Sequence, residues 1–136
     1  MVQINVTYRD ELRCEAVHGP SGTTLVTDAP VDNQGKGESF SPTDLVATAL
    51  GTCILTIMEI VARREQINLA DVRITVEKEM SADLPRRIAK LTTRIAMPAG
   101  LTEQHKAKLE KAAHTCPVHQ TLQGKVELPI EFVYYP

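Results

Sequence analysis

Polar and apolar residues alternate over three short stretches near the start of the chain: residues 3–8 (QINVTY), 12–17 (LRCEAV) and 23–27 (TTLVT). A period of two sends successive side chains to opposite faces of a sheet, so each stretch predicts a half-buried strand. The segment HGPSG at 18–22 predicts a turn between the second and third strands. Residues 28–39 gather Gly, Pro and polar side chains and predict a loop. The pattern then changes. Residues 40–62 read FSPTDLVATALGTCILTIMEIVA and are nearly all apolar. Ser41 suits a helix N-cap and Pro42 the first helical position, with Asp44 three residues after the cap at the positive end of the helix dipole. Arg63 and Arg64 suit the negative end.

At about 100° per residue, Val46, Ala49, Leu50, Ile57 and Ile60 share one face with Cys53. A narrow polar strip runs through Thr48, Thr52, Thr56, Glu59 and Arg63, where Glu59 and Arg63 stand one helical turn apart and pair. A helix apolar over most of its circumference needs cover from more than one layer, either a sheet plus a helix or a sheet plus a second subunit. Residues 45–62 approach the length of a membrane-spanning helix. Their threonines, Glu59 and Gly51 favour a buried central helix, and no membrane association is expected.

Clean alternation returns at 72–77 (VRITVE) and 89–97 (AKLTTRIAM), a predicted hairpin joined through SADLP at 81–85. Thr102 is the expected cap of a charged, largely exposed helix over 103–113. HTCPVHQTLQG follows at 114–124, with a short helix expected over 117–122. The last strand is expected over 125–135, where Pro129 points to a sheet edge or a bulge. Three strands, a helix, two strands, a helix and a strand make an α+β fold, read as a single domain over residues 1–136.

The chain has 136 residues, 43% apolar and 24% charged, enough for one well-formed core. With no Trp, three Tyr and two Phe, that core is aliphatic. A net charge of −2 offers no general attraction to nucleic acid or to an anionic membrane. Three cysteines do not suit a disulfide scaffold, and no signal peptide is recognised before residues 2–4, so a reducing cytoplasm is the expected location. In that compartment a cysteine pair serves catalysis or metal binding more often than structure.

Three cysteines therefore carry the candidate chemistry. Cys116 stands at the start of the short helix, where backbone N–H groups and the helix dipole lower a thiol's pKa, and His119 three residues on reads either as a solvated residue or as a source of positive charge for the thiol. Cys53 lies mid-helix on an apolar face, which raises a thiol's pKa unless a cation is near, and on the residues alone it reads as a core filler, since free cysteine is among the most buried residue types. Cys14 reads as an inward filler on a strand. Cys53, Cys116 and His119 could supply three ligands for a metal, without a CxxC or HxxxH spacing; no metal and no cofactor is expected.

FSPTDLVATALGTC at 40–53, followed some sixty residues later by TCPVHQTL at 115–122, resembles the OsmC/Ohr family, the osmotically inducible protein C and organic hydroperoxide resistance proteins. RCEAVHGPSGTTLVTDAP at 13–30 extends the likeness over nearly the whole chain. The resemblance implies a domain-swapped homodimer with antiparallel sheets around two long central helices. It implies a peroxiredoxin-like cysteine peroxidase of the oxidative stress response, acting on small organic hydroperoxides and recycled by a dithiol reductant. Cys53 would be the peroxidatic nucleophile and Cys116 the resolving thiol. The cation beside Cys53 would be an arginine of the N-terminal strands, Arg13 or else Arg9, paired to a carboxylate. The peroxidase branches carry that carboxylate ten residues before the nucleophile, where this chain has Thr43 with Asp44 beside it. This brings the chain closer to the less characterised OsmC-like branch and leaves Asp44 either as that carboxylate or as a helix cap. Two alternatives stay open: a redox-sensing thiol protein without fast turnover, and a binder of small apolar ligands.

Overall fold

The computed structural model describes residues 1–135, so Pro136 of the expected domain lies outside the described residues. The described residues pack as two compact units, residues 1–46 and 47–135.

The first unit is a three-stranded sheet in the order β1-β2-β3, with β1 (Ile4–Asp10), β2 (Arg13–His18) and β3 (Thr24–Asp28) all antiparallel. Its register places Ile4 opposite His18, Val6 opposite Ala16 and Tyr8 opposite Cys14. Ala16 in turn faces Leu25 and Cys14 faces Thr27. Alternation along the strands collects these residues on one face. Much of that face lies in solvent, with Ile4, Val6 and Tyr8 61%, 64% and 61% exposed. The loop after β3 contains a single 3-10 turn, Val31–Asn33, and is tied back onto the strand. The Asp28 N–H donates to the Phe40 carbonyl at 3.1 Å, and the Ser39 hydroxyl to the Val26 carbonyl at 2.8 Å. Gly35 lies so close over Ala29 that a Cβ there would stand 1.7 Å from its carbonyl oxygen, so no side chain fits.

The long helix α1 (Pro42–Arg64) begins in the first unit and runs through the second. Its start is a reciprocal cap: Ser41 Oγ accepts from the Asp44 N–H at 3.1 Å, and the Ser41 N–H donates to Asp44 Oδ2 at 2.9 Å. By length and composition α1 is apolar enough to cross a membrane, and a third of that apolar window is buried within the chain. The buried residues are Ala47, Leu50, Gly51, Ile54, Met58 and Ala62. This corrects the expected face. Of the residues grouped with Cys53, only Leu50 is buried; Val46 and Ile57 are half-buried, and Ala49 and Ile60 are exposed. The core-facing stripe is turned roughly a quarter of the circumference away, which leaves Cys53 at its border.

The second unit continues with β4 (Arg73–Met80), β5 (Ile88–Met97), α2 (Glu103–His114), α3 (Pro117–Leu122) and β6 (Ile130–Tyr134). Its sheet order is β4-β5-β6. The expectation of antiparallel sheets holds for β4 and β5 but not for β6, which pairs with β5 in parallel. The reason is the connection: α2 and α3 carry the chain back between the two strands, and a helical crossover returns a strand in parallel. Pro129 immediately precedes β6, an edge strand, where its missing N–H interrupts no ladder, and its carbonyl accepts from the Thr93 N–H at 2.9 Å. The core draws Leu50, Ile54 and Met58 from α1, Leu91, Ile95 and Met97 from β5, and Leu109, Ala112 and Ala113 from α2. Gly51 explains itself here. A Cβ at that position would lie 3.1 Å from Val76 Cγ2 and 3.6 Å from Ile74 Cγ2, so the missing side chain lets α1 lie close on β4.

Candidate thiol site

Thr102 caps α2 as expected, its hydroxyl accepting from the His105 N–H at 3.1 Å, and α2 ends at His114. Thr115 closes that helix and Cys116 opens the next, so the two helices meet at the cysteine. Cys116 is itself the N-cap of α3: its Sγ accepts from the His119 N–H at 3.2 Å, with Pro117 in the first turn. The thiol is fully buried. Cys53 comes from the middle of α1 and is half-buried. The two side chains are neighbours, since Cys53 acts on the Cys116 thiol both through a direct side-chain interaction and through charge. Cys53 and Cys116 are free thiols, as is Cys14, which sits on the β2 strand of the first unit.

The electrostatics of Cys116 run against the sequence expectation. A helix start was expected to lower its pKa. Burial instead pushes the thiol up, the His119 N–H counteracts part of that, and the neighbouring Cys53 raises it further. Desolvation acts on the whole charge, whereas the backbone N–H groups of His119 and Val118 at the start of a six-residue helix offset only part of it. Cys116 therefore stays a protonated thiol near neutral pH.

His119 also departs from expectation. It is buried rather than a source of positive charge, and desolvation, then the neighbouring His114, hold its imidazole below the usual histidine range. The two rings meet edge to face with centroids 5.6 Å apart. Among the described residues, no cluster of three or more His, Cys, Asp or Glu is arranged to hold a metal ion.

The remaining candidates lie in the first unit. Arg13 pairs with Glu38 and stands 3.7 Å from Asp28. Asp28 is almost wholly buried, and its Oδ2 accepts from the Glu38 N–H at 3.0 Å. That backbone bond, then the Arg13 charge, hold the Asp28 carboxyl below the usual range, while the bond to Glu38 raises Arg13. Arg9 forms an exposed pair with Glu15 at 2.6 Å. Asp44 is engaged by the helix cap described above. Asp28 and Glu38 are the partners that sequence reasoning missed. A signal for Asp28 was present, because a hairpin turning at 18–23 sets Arg13 directly opposite Asp28. Glu38 reaches Arg13 only through the folded loop, and no local pattern carries that.

With this geometry in view, the likeness to known proteins is specific. A sequence model of the family described as OsmC-like protein matches residues 35–131. No match exists among curated protein sequences. Among solved structures, a protein of Psychrobacter arcticus 273-4, named for osmotic stress induction and a detoxification response, is similar over 98% of this chain and 96% of its own, with 41% identity and a TM-score of 0.91. An organic hydroperoxide resistance protein OsmC of Legionella pneumophila shares the fold at 20% identity and a TM-score of 0.75, over 97% of this chain and 96% of its own. So does an organic hydroperoxide resistance protein of Elizabethkingia anophelis, at 15% identity and a TM-score of 0.76, over 99% and 96%. The match of the family pattern over most of the chain, together with the Psychrobacter relative, establishes that this chain belongs to the OsmC-like protein family.

Proposed function

We propose that the protein is a thiol-dependent peroxidase that reduces organic hydroperoxides, with Cys53 as peroxidatic nucleophile and Cys116 as resolving thiol. The observation that supports this best is the asymmetry of two adjacent free thiols: one is half-buried at the edge of an apolar helix face, the other fully buried and held protonated. The Cys53 thiolate attacks the outer oxygen of the hydroperoxide, the O–O bond breaks, and the alcohol leaves after taking up a proton. Cys53 becomes a sulfenic acid. The Cys116 sulfur then displaces the hydroxyl as water and a Cys53–Cys116 disulfide forms, which an external dithiol reduces by exchange. The apolar residues beside Cys53, among them Ala49, Ile57 and Ile60, favour an alkyl hydroperoxide over hydrogen peroxide.

Arg13 is the cation we assign to Cys53 from the family resemblance. Its carboxylate partners in this chain are Asp28 and Glu38, while Asp44 serves the helix cap. We further assign the protein to the cytoplasm as a domain-swapped homodimer. The exposed row Ile4, Val6 and Tyr8, with Leu25 beside it, and the uncovered flank of α1 at Ala49 and Ile60 support a second copy as the missing cover.

The test is kinetic. Purified protein with dithiothreitol and tert-butyl hydroperoxide consumes peroxide, and Cys53→Ser abolishes that consumption. Peroxide loss no faster than in Cys53→Ser overturns the reading. A Cys53–Cys116 disulfide that forms without turnover indicates a redox sensor instead.

A further inference from the structure

Arg13 Nε and Asp28 Oδ1 are both buried and neither makes a hydrogen bond, although buried polar atoms nearly always find a partner. The two residues stand directly opposite each other across β2 and β3, so their side chains leave the same face of the sheet. Arg13 Nη2 lies 3.7 Å from Asp28 Oδ2, just beyond hydrogen-bond reach. Nε and Nη2 are the two donors of a side-on guanidinium fork, and Oδ1 and Oδ2 are the two acceptors of a carboxylate. The unpartnered atoms are therefore the missing half of one bidentate pair, opened by about an ångström.

Glu38 holds that pair open. It takes Nη2 on the outer side, where its side chain is 61% exposed against 1% for Asp28. Its own N–H donates to Asp28 Oδ2 at 3.0 Å, so the loop carries the competing carboxylate to a fixed place beside Arg13. Oδ2 keeps a second lone pair for Nη2. Lys36, paired with Glu11 at 3.1 Å, fastens the same loop independently of Arg13. An ion pair as exposed as that with Glu38 contributes little. Drawing the guanidinium onto Asp28 gains two charge-assisted hydrogen bonds, at the cost of removing it further from water. Two seats of similar free energy result.

We propose that Arg13 is a two-position switch, with an outer seat on Glu38 and an inner seat in which Nε and Nη2 donate to Asp28 Oδ1 and Oδ2. Rotations within the Arg13 side chain connect the seats, and β2 keeps its register with β3. In the inner seat Glu38 is released and the guanidinium is withdrawn from the surface of the first sheet. The switch lies wholly within the first unit and does not depend on the peroxidase reading. With that reading, the inner seat is the idle state of the cation assigned to Cys53.

Glu38→Gln weakens the outer seat at an exposed position and keeps the size of the side chain. A crystal structure of this variant should place Nε–Oδ1 and Nη2–Oδ2 both at about 2.8 Å. In nitrogen-15 NMR of the variant, exchange of the Arg13 Nε–H with water should slow by about tenfold or more relative to the parent. Adding Asp28→Asn to Glu38→Gln should return that exchange to the parent's rate, and slow exchange that persists overturns the inner seat. Should circular dichroism show the double variant unfolded, the crystal structure of Glu38→Gln decides the matter. An Nε that stays unpartnered in Glu38→Gln, or exchange within about twofold of the parent, overturns the proposal. Peroxide turnover enters none of these measurements. Its absence in the parent protein overturns the peroxidase reading and leaves the switch standing.

Discussion

The two sheets begin from the same kind of sequence and end in opposite circumstances. β1 alternates as QINVTY does and β4 as VRITVE does, and each presents one apolar face. On β4 the residues of that face, Ile74 and Val76, meet α1, brought close by Gly51, and the centre of the neighbouring β5 is fully buried at Leu91 and Ile95. On β1 the corresponding row of Ile4, Val6 and Tyr8 is mostly in solvent. Alternation thus specifies which residues share a face. It does not specify what covers the face, because that depends on an element arriving from elsewhere in the chain or from another chain.

The sharpest way to break the comparison is truncation on both sheets. Ile95→Ala removes a fully buried side chain and should cost about 2–5 kcal/mol in urea unfolding. At protein concentrations too low for association, Val6→Ala should cost no more than about 0.5 kcal/mol. Equal costs would mean that the first sheet is covered within the single chain after all. A charge on the open face comes next. Val6→Lys should leave the circular dichroism spectrum intact and shift sedimentation toward the monomer, raising the dissociation constant by about tenfold or more. Unchanged sedimentation would exclude this face as the contact between copies.

The smallest effect concerns Asp28, at the far end of the first sheet. Its carboxyl is held below the usual range in the folded state, so the unfolded chain binds its proton more readily. The stability it contributes is complete above the ordinary carboxylate range, near pH 4, and is lost as pH falls through the lower folded value. Asp28→Asn should therefore lower the melting temperature at pH 7 and flatten its decline in acid. An acid limb as steep as that of the parent would place the sensitivity at other carboxylates.

Much of this fold was legible in advance. The three N-terminal strands follow from their alternation, and the long helix with its Ser41 and Asp44 cap, the Thr102 cap and the helix after Cys116 rest on contacts within a few residues. Even the edge position of the last strand was written in Pro129. The buried face of α1 was not, because a helix apolar on most sides leaves several stripes that compete for the sheet. The choice fell on the stripe containing Gly51, where the backbone approaches closest. The parallel pairing of β6 was equally hidden, since it depends on the path of α2 and α3 rather than on any pattern within the strand.

The candidate site divides in the same way. The sequence by itself determined that Cys53 sits mid-helix, that Cys116 opens a helix before a proline, and that Arg13 lies on a strand. Local hydrogen bonding and side-chain periodicity suffice for these. Only the tertiary structure decided that the two thiols are neighbours, that Cys116 is held protonated and that His119 is a buried, neutral ring. The first follows from how the helices pack and the other two from removing water, and how much water a residue loses is set by what packs over it from distant parts of the chain.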